Sequence, residues 1–309
     1  YYAINERTSK VYTDLNEAIS EASDGDTITL LDDVVLDGTN KQDTEGALTI
    51  SDKEFTLNGN GHTISAQTET FNFDQSTGAG PSLINVQGNS DVTFENVTLD
   101  GSGIAKHGLN INSAAVTLDG VTITNNRWYA VVDNNDSTLT VDGLTTTGNQ
   151  WGVNIDKGAE ATFNNADIGE QASIVYESAY TSYEGGEGSL TIKGGTYNTV
   201  KTQGSAYGNV AITGGRIDTV QNSAAATVEI TGGTIRTVID DNNTSGQTSI
   251  ENGATVTGTV SIALGSGDCL LQYVVDGVTV YASAMGNADS GEVDMGYTTT
   301  PTKPGSTFD

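Results

Sequence analysis

Leu190–Thr191–Ile192–Lys193–Gly194–Gly195 returns as Val210–Ala211–Ile212–Thr213–Gly214–Gly215, and again as Val228–Glu229–Ile230–Thr231–Gly232–Gly233. Looser copies precede it: Val92–Thr93–Phe94–Glu95, Val116–Thr117–Leu118–Asp119 and Leu139–Thr140–Val141–Asp142. Within each copy apolar and polar residues alternate, which is the period of a strand and not of a helix. A strand this short cannot bury its own apolar side, so the copies must stack. Start-to-start steps run from 24 residues (92 to 116) down to 18 (210 to 228). Stacked short repeats of that length form a solenoid. The expected fold is all-β: a single-stranded parallel β-helix, one coil per repeat, with equivalent positions about 4.8 Å apart. Val116, Leu118, Leu139, Val141, Ile192, Ile212 and Ile230 should then line the core. Thr117, Thr140, Thr191 and Thr231 should face out.

Composition agrees. There are 38 Gly, which suit tight turns between coils, and only 3 Pro, which would interrupt a ladder. Lys and Arg total 12 against 40 Asp and Glu, a net charge of −28. Nucleic acid is excluded as an expected partner, because phosphate binding needs a basic footprint. Attraction to anionic membranes is disfavoured, and no apolar run is long enough to span a bilayer. The acidity serves solubility; divalent-cation binding is the other reading. The single Cys269 excludes an internal disulfide, and its apolar neighbours Leu270 and Leu271 read as a buried thiol. The chain begins at Tyr1 without Met and without a signal peptide, which reads as a mature protein or an excised fragment.

The ends differ from the middle. Tyr2–Asn5 and Lys10–Thr13 predict a hairpin. Asp14 and Glu17 form a capping box for a short amphipathic helix with Leu15, Ala18, Ile19 and Ala22 on one face. Asp24–Gly25–Asp26 ends it, and Thr27–Leu31 opens the first coil. Tyr273–Val275 and Val278–Tyr281 flank Asp276–Gly277, a hairpin signal at the other end. The resulting divisions are 1–26 (hairpin and capping helix), 27–263 (coils), 264–295 (C-terminal cap) and 296–309 (a Thr-rich linker or tail). The run Val11–Ile19 followed by Asp24–Leu31 resembles the N-terminal cap of pectate-lyase-like β-helix domains, which recur in adhesin-like surface proteins of Gram-positive gut bacteria. The resemblance implies a right-handed β-helix and a bacterial cell-surface or secreted setting. It does not imply pectate lyase activity.

One constellation stands out. Lys106–His107, Arg127–Trp128–Tyr129 and Gln150–Trp151 each lead into a strand. Equal spacing stacks His107, Trp128 and Trp151 in one column and Lys106, Arg127 and Gln150 beside it. With Leu109/Ile111, Ala130/Val132 and Val153/Ile155 inward, Asn110, Val131 and Asn154 point out. Rings beside amides suit a sugar, whose C–H face packs on aromatics and whose hydroxyls need polar partners. The expected ligand platform is His107, Trp128, Tyr129 and Trp151, with Lys106, Arg127, Asn110 and Asn154 as polar contacts. The plainer alternative is that the rings only staple the turns.

Signals for catalysis are thinner. Asn112, Asp133 and Asp156 are expected in one outward column, where two carboxylates could divide acid and base roles; the plainer and preferred reading is a polar turn, Asp133–Asn134–Asn135–Asp136–Ser137. Polygalacturonase-like motifs are incomplete: Gly61–His62 and Asp240–Asp241 stand alone. Arg216 and Arg236 are the candidate bases of a lyase, but Arg236 shares a column with Asn198 and Asp218 and reads as an ion pair. Gln42–Asp43–Thr44 matches a pectin methylesterase fragment too short to carry weight. No cofactor is expected. Asp240–Asp241–Asn242–Asn243 is the best local Ca²⁺ candidate, from oxygen ligands alone, but it lacks the spacing of an EF-hand and a solvated turn is the favoured reading. The expected function is a non-catalytic extracellular adhesin or structural module whose partner is a host or bacterial surface glycan or protein. The alternatives are a polysaccharide-degrading hydrolase or lyase and a subunit of a surface filament, self-associating through the solenoid ends by Tyr1–Ile4 and the tail after Met295.

Overall fold

The computed structural model describes residues 1–177, 187–204, 208–241, 247–262, 268–275 and 278–285. It is a parallel β-helix with three strand ladders. The first ladder begins with Asp26–Leu30 and stacks Glu54–Asn58, Asp91–Glu95, Ala115–Asp119 and Thr138–Val141 in parallel. It continues through Glu160–Phe163 and Ser189–Ile192 to Gln247–Ile250. A second ladder runs from Val34–Leu36 through Thr63–Ala66 and Thr98–Asp100, a third from Gly46–Ser51 through Ser82–Gln87 and Leu109–Asn112.

The second and third ladders fuse in Thr196–Thr202. Its start pairs with Ala166–Ile168 and its end with Ile174–Tyr176. This explains the shrinking repeat. Early coils carry a loop between the two ladders; late coils run straight across in the single strands Thr196–Thr202, Arg216–Asn222 and Thr234–Asp240.

The expected core is present. Val116, Leu118, Leu139, Val141, Ile192, Ile212 and Ile230 are all buried, and Thr117, Thr140, Thr191 and Thr231 are half-exposed on the outer surface. The double glycines are required by the stacking. A Cβ on Gly214 would stand 2.1 Å from the Lys193 carbonyl oxygen, and Gly215 holds φ +92°. Only glycine meets both demands at so close an approach.

Both ends are capped on the first ladder. The N-terminal elements are β1 (Ala3–Asn5), β2 (Lys10–Tyr12), α1 (Leu15–Glu21), β3 (Asp26–Leu30), β4 (Val34–Leu36) and β5 (Gly46–Ser51). β1 lies antiparallel between β2 and β3. Both its edges are therefore used, and Tyr2 also bonds Tyr12 and Leu31, so this segment is not the free arm expected to reach a neighbouring copy. α1 buries Leu15, Ala18 and Ile19. Asp14 caps it by accepting the Asn16 N–H at 2.8 Å, but the reciprocal half of the expected capping box does not form: Glu17 faces Lys10 instead, at 3.4 Å. Asp26, expected in a turn, is buried. Its carboxylate receives Asn5 Nδ2 at 2.6 Å, the Ser23 N–H at 3.0 Å and the Arg7 guanidinium, which holds it well below the usual carboxylate range.

At the other end Asp268–Val275 and Val278–Met285 form an antiparallel hairpin joined across Val275 and Val278, and Ile250 pairs with Tyr281. The turn Asp276–Gly277 and the tail 296–309 lie outside the described residues, as does the side chain of Cys269. No helix among the described residues is long and apolar enough to cross a membrane.

Candidate functional site

The loops between the second and third ladders build the site. Thr124 pairs with Thr147, 23 residues on, but Tyr129 pairs with Trp151, 22 on. The turn before Tyr129 thus holds one residue more than the turn before Trp151. A one-residue slip turns every following side chain to the opposite face. Val131, not Val132, is inward: it sits between Leu109 and Val153. Asp133 follows it into the core, between Ile111 and Ile155. Ala130 is buried as expected, but Val132 is not, and the outward Asn112–Asp133–Asp156 column is corrected as well; Asn112 pairs with Asn134.

The aromatic column changes in the same way. It is His107–Tyr129–Trp151, with ring centroids 5.9 Å and 5.0 Å apart. Trp128 stands one step away in the turn, in contact with His107 at 5.9 Å, Trp151 at 6.2 Å and the edge of Phe73 at 6.2 Å. Trp128 is half-buried, and the loop 67–81 closes over it so tightly that a Cβ on Gly78 would meet its ring at 2.1 Å. Lys106 places Nζ 4.6 Å from the Trp128 centroid and 2.6 Å from Asp43 Oδ1. Asp43 also accepts the Gly80 N–H at 3.1 Å, which ties the loop down. Trp128 and Lys106 therefore hold the loop, as the staple alternative requires. Tyr129 and Trp151 are half-buried and carry the open part of the strip.

His107 is buried, and its Nδ1 accepts the Tyr129 N–H at 3.3 Å. Burial, with Lys106 beside it, pushes its pKa down to about 3, so the ring is neutral. Arg127 is exposed with its guanidinium 5.9 Å from the Phe73 centroid. It borders an open polar depression lined by Asp100, Ser102, Asn125 and Asn126. Asn110 lies on the outer face of the third ladder in an amide chain, donating to Asn85 at 2.8 Å and accepting from Asn134 at 3.3 Å. Asn154 is separated from it by Val132, is buried, and donates to Glu177 at 3.0 Å. The structure thus gathers His107, Trp128, Tyr129, Trp151, Lys106 and Arg127, and leaves Asn110 and Asn154 as engaged neighbours. Sequence reasoning does not find Phe73, Gly78 and Asp43 as parts of this site. Their only signal is the pair Phe71 and Phe73 in an otherwise polar, Gly-rich loop.

Two carboxyls depart from ordinary behaviour. Asp133 is fully buried, and neither oxygen has a hydrogen-bond partner among the described residues; burial pushes its pKa well above the carboxylate range. Asp156 lies partly buried at the end of its strand. Burial, with Glu177 nearby and against a hydrogen bond from the Lys157 N–H, pushes it up to about 6. Arg236 and Asp218 form the expected cross-coil pair, bidentate at 2.5 and 2.7 Å, so Arg236 is not a poised base. Asp240 is buried at the end of its strand and accepts from Thr248 at 2.7 Å, while Asp241, just past the strand, is exposed. Asn242 and Asn243 lie outside the described residues. No cluster of three or more His, Cys, Asp or Glu placed to hold a metal occurs among the described residues.

The fold makes this chain a parallel β-solenoid with a loop-built aromatic ledge on its early coils. No protein-family profile matches it, nor does any curated protein or solved structure.

Proposed function

We propose that the chain is a non-catalytic module of a bacterial cell-surface or secreted protein, and that it binds glycan on the Tyr129–Trp151 ledge. The carrying observation is the pair of half-buried rings on adjacent coils, 5.0 Å between centroids; the Asn85–Asn110–Asn134 amide chain lies further along the same ladder. A solenoid spaces such rings by one coil, so an extended sugar chain lying along the axis would meet a repeated surface. The likeness of the first coils to the caps of pectate-lyase-like surface proteins and the net charge of −28 support an extracellular setting.

A glycan-array screen with and without Ca²⁺ identifies the ligand. Trp151→Ala is then expected to weaken binding about tenfold, the size of one aromatic contact, with the circular-dichroism spectrum unchanged. Normal binding by a Trp151→Ala, Tyr129→Ala double variant would make the ledge a structural staple only.

The enzyme reading keeps one observation in its favour, the Asp156 carboxyl raised to about 6 near Glu177. Such a group could serve as a general acid near neutral pH. No release of products from pectin or polygalacturonate is expected. Release above a heat-killed control, abolished by Asp156→Asn and falling as pH rises through about 6, would promote the enzyme.

A further inference from the structure

Among the described residues, the strands of the two caps pair only with the first ladder. β1 covers β3, yet β4 pairs with Thr63–Ala66 on one side and with no strand on the other among the described residues. The Leu36 carbonyl accepts the Gln67 N–H at 3.0 Å, on the coil side. Amides of successive strand residues turn to opposite edges, so the N–H and C=O of Val35 face the open end. That edge borders a cleft of about 290 Å³ between β4 and the start of α1, lined by Tyr2, Asp14, Leu15, Val34, Val35 and Asp37 among others.

The surface around the cleft is unusual for this molecule. Among the described residues the exposed large apolar side chains are Tyr1, Tyr2, Val11, Leu31 and Val35, all at this end; Val35 is 61% and Leu31 42% exposed. Isolated apolar residues on a surface need no explanation, but a group beside an unpaired strand edge marks an interaction site. Charge surrounds it. Asp14 and Asp37 line the cleft, and Asp32 and Asp33 join Leu31 to β4. Among the described residues no Lys or Arg stands within 4 Å of any of the four. An acidic rim repels a second copy of this chain and attracts a basic partner.

We propose that the open edge of β4 receives an extended peptide as an added strand, one with apolar residues flanked by lysine or arginine. Its backbone pairs with Val35, an apolar side chain enters the cleft over Leu15 and Val34, and its cationic flanks meet the aspartates. Backbone pairing supplies affinity and the alternate side chains supply specificity, as in other strand additions. This site lies at the N-terminal end of the solenoid and does not depend on the ledge.

The test is fluorescence anisotropy of the full chain with a labelled, end-blocked peptide of sequence lysine-valine-threonine-valine-lysine. Saturable binding is expected, weakened at least about tenfold when the threonine and second valine amides are N-methylated, when glutamate replaces both lysines, or when Val35→Glu is introduced. Equal binding of the parent and N-methylated peptides would overturn the proposal, as would no saturation at millimolar protein. Sedimentation of the chain alone is the second measurement. A concentration-dependent dimer abolished by Val35→Glu would assign the edge to a second copy and overturn the peptide reading.

Discussion

Replacing Asp133 by leucine is expected to stabilise the protein, and to stabilise it more as pH rises. Leucine copies the branching of aspartate with carbon and completes the apolar run from Ile111 to Ile155. The wild-type carboxyl is fully buried without a partner among the described residues, and an unsatisfied buried polar group costs about 1–3 kcal/mol. Ionisation adds to this. The folded-state pKa lies above the unfolded value, so the favourable neutral form is fully present below the ordinary pKa of about 3.9 and is lost as pH climbs toward the folded value. Over that window wild type loses up to about 1.4 kcal/mol per pH unit through this group, and the leucine variant does not. His107 acts in the opposite direction: its lowered pKa removes stability as pH falls from the usual histidine range toward 3. It is common to both proteins, so the difference between them isolates Asp133. Urea unfolding at pH 4.5 and pH 7 measures it. A variant less stable than wild type, or a difference that ignores pH, would show that the carboxyl has found a partner.

Ile212→Ala is expected to cost about 2–5 kcal/mol, from lost transfer energy and from the cavity left behind. Ile212 is fully buried and stacked between Ile192 and Ile230 in the first ladder. The site cannot collapse easily. The glycine pair that follows it is already at contact distance from the coil before, with the Gly214 α-carbon leaving no room beside the Lys193 carbonyl. A solenoid core is also one side chain wide along each ladder, so no second layer can move in. Denaturant titration at fixed pH reads the loss as a lower midpoint. A midpoint shift below about 1 kcal/mol would mean that the late coils relax around the gap.

Much of the architecture is legible because it depends on local chemistry repeated many times. Alternation along Leu190–Ile192, Val210–Ile212 and Val228–Ile230, closed each time by Gly-Gly, leaves few ways to bury the apolar side. The N-terminal hairpin and helix and the C-terminal hairpin are likewise written in short-range signals, and all three are present. The same reasoning places the aromatic residues on neighbouring coils, but the one-residue difference between the turns puts Tyr129, not Trp128, between His107 and Trp151.

Register within the third ladder is decided by the tertiary structure alone. Read locally, Val132 is the better inward residue, and Asp133 belongs outside. The stack overrules this, because Leu109 and Val153 already fix where position 131 must lie. The extra residue before Tyr129 is absorbed in the turn, Trp128 is drawn under Gly78 and against Phe73, and Asp133 is forced inward. The physical reason is one of scale. Alternation fixes which residues can form a strand, but a strand's face depends on turn lengths summed around the coil and on the strands above and below. A loop from an earlier coil, packing on a tryptophan, has no signature in the local pattern. The sequence by itself therefore determined the solenoid, its caps and its acidity; the inward aspartate, the enclosed Trp128 and the open edge of β4 were settled only when the coils were stacked.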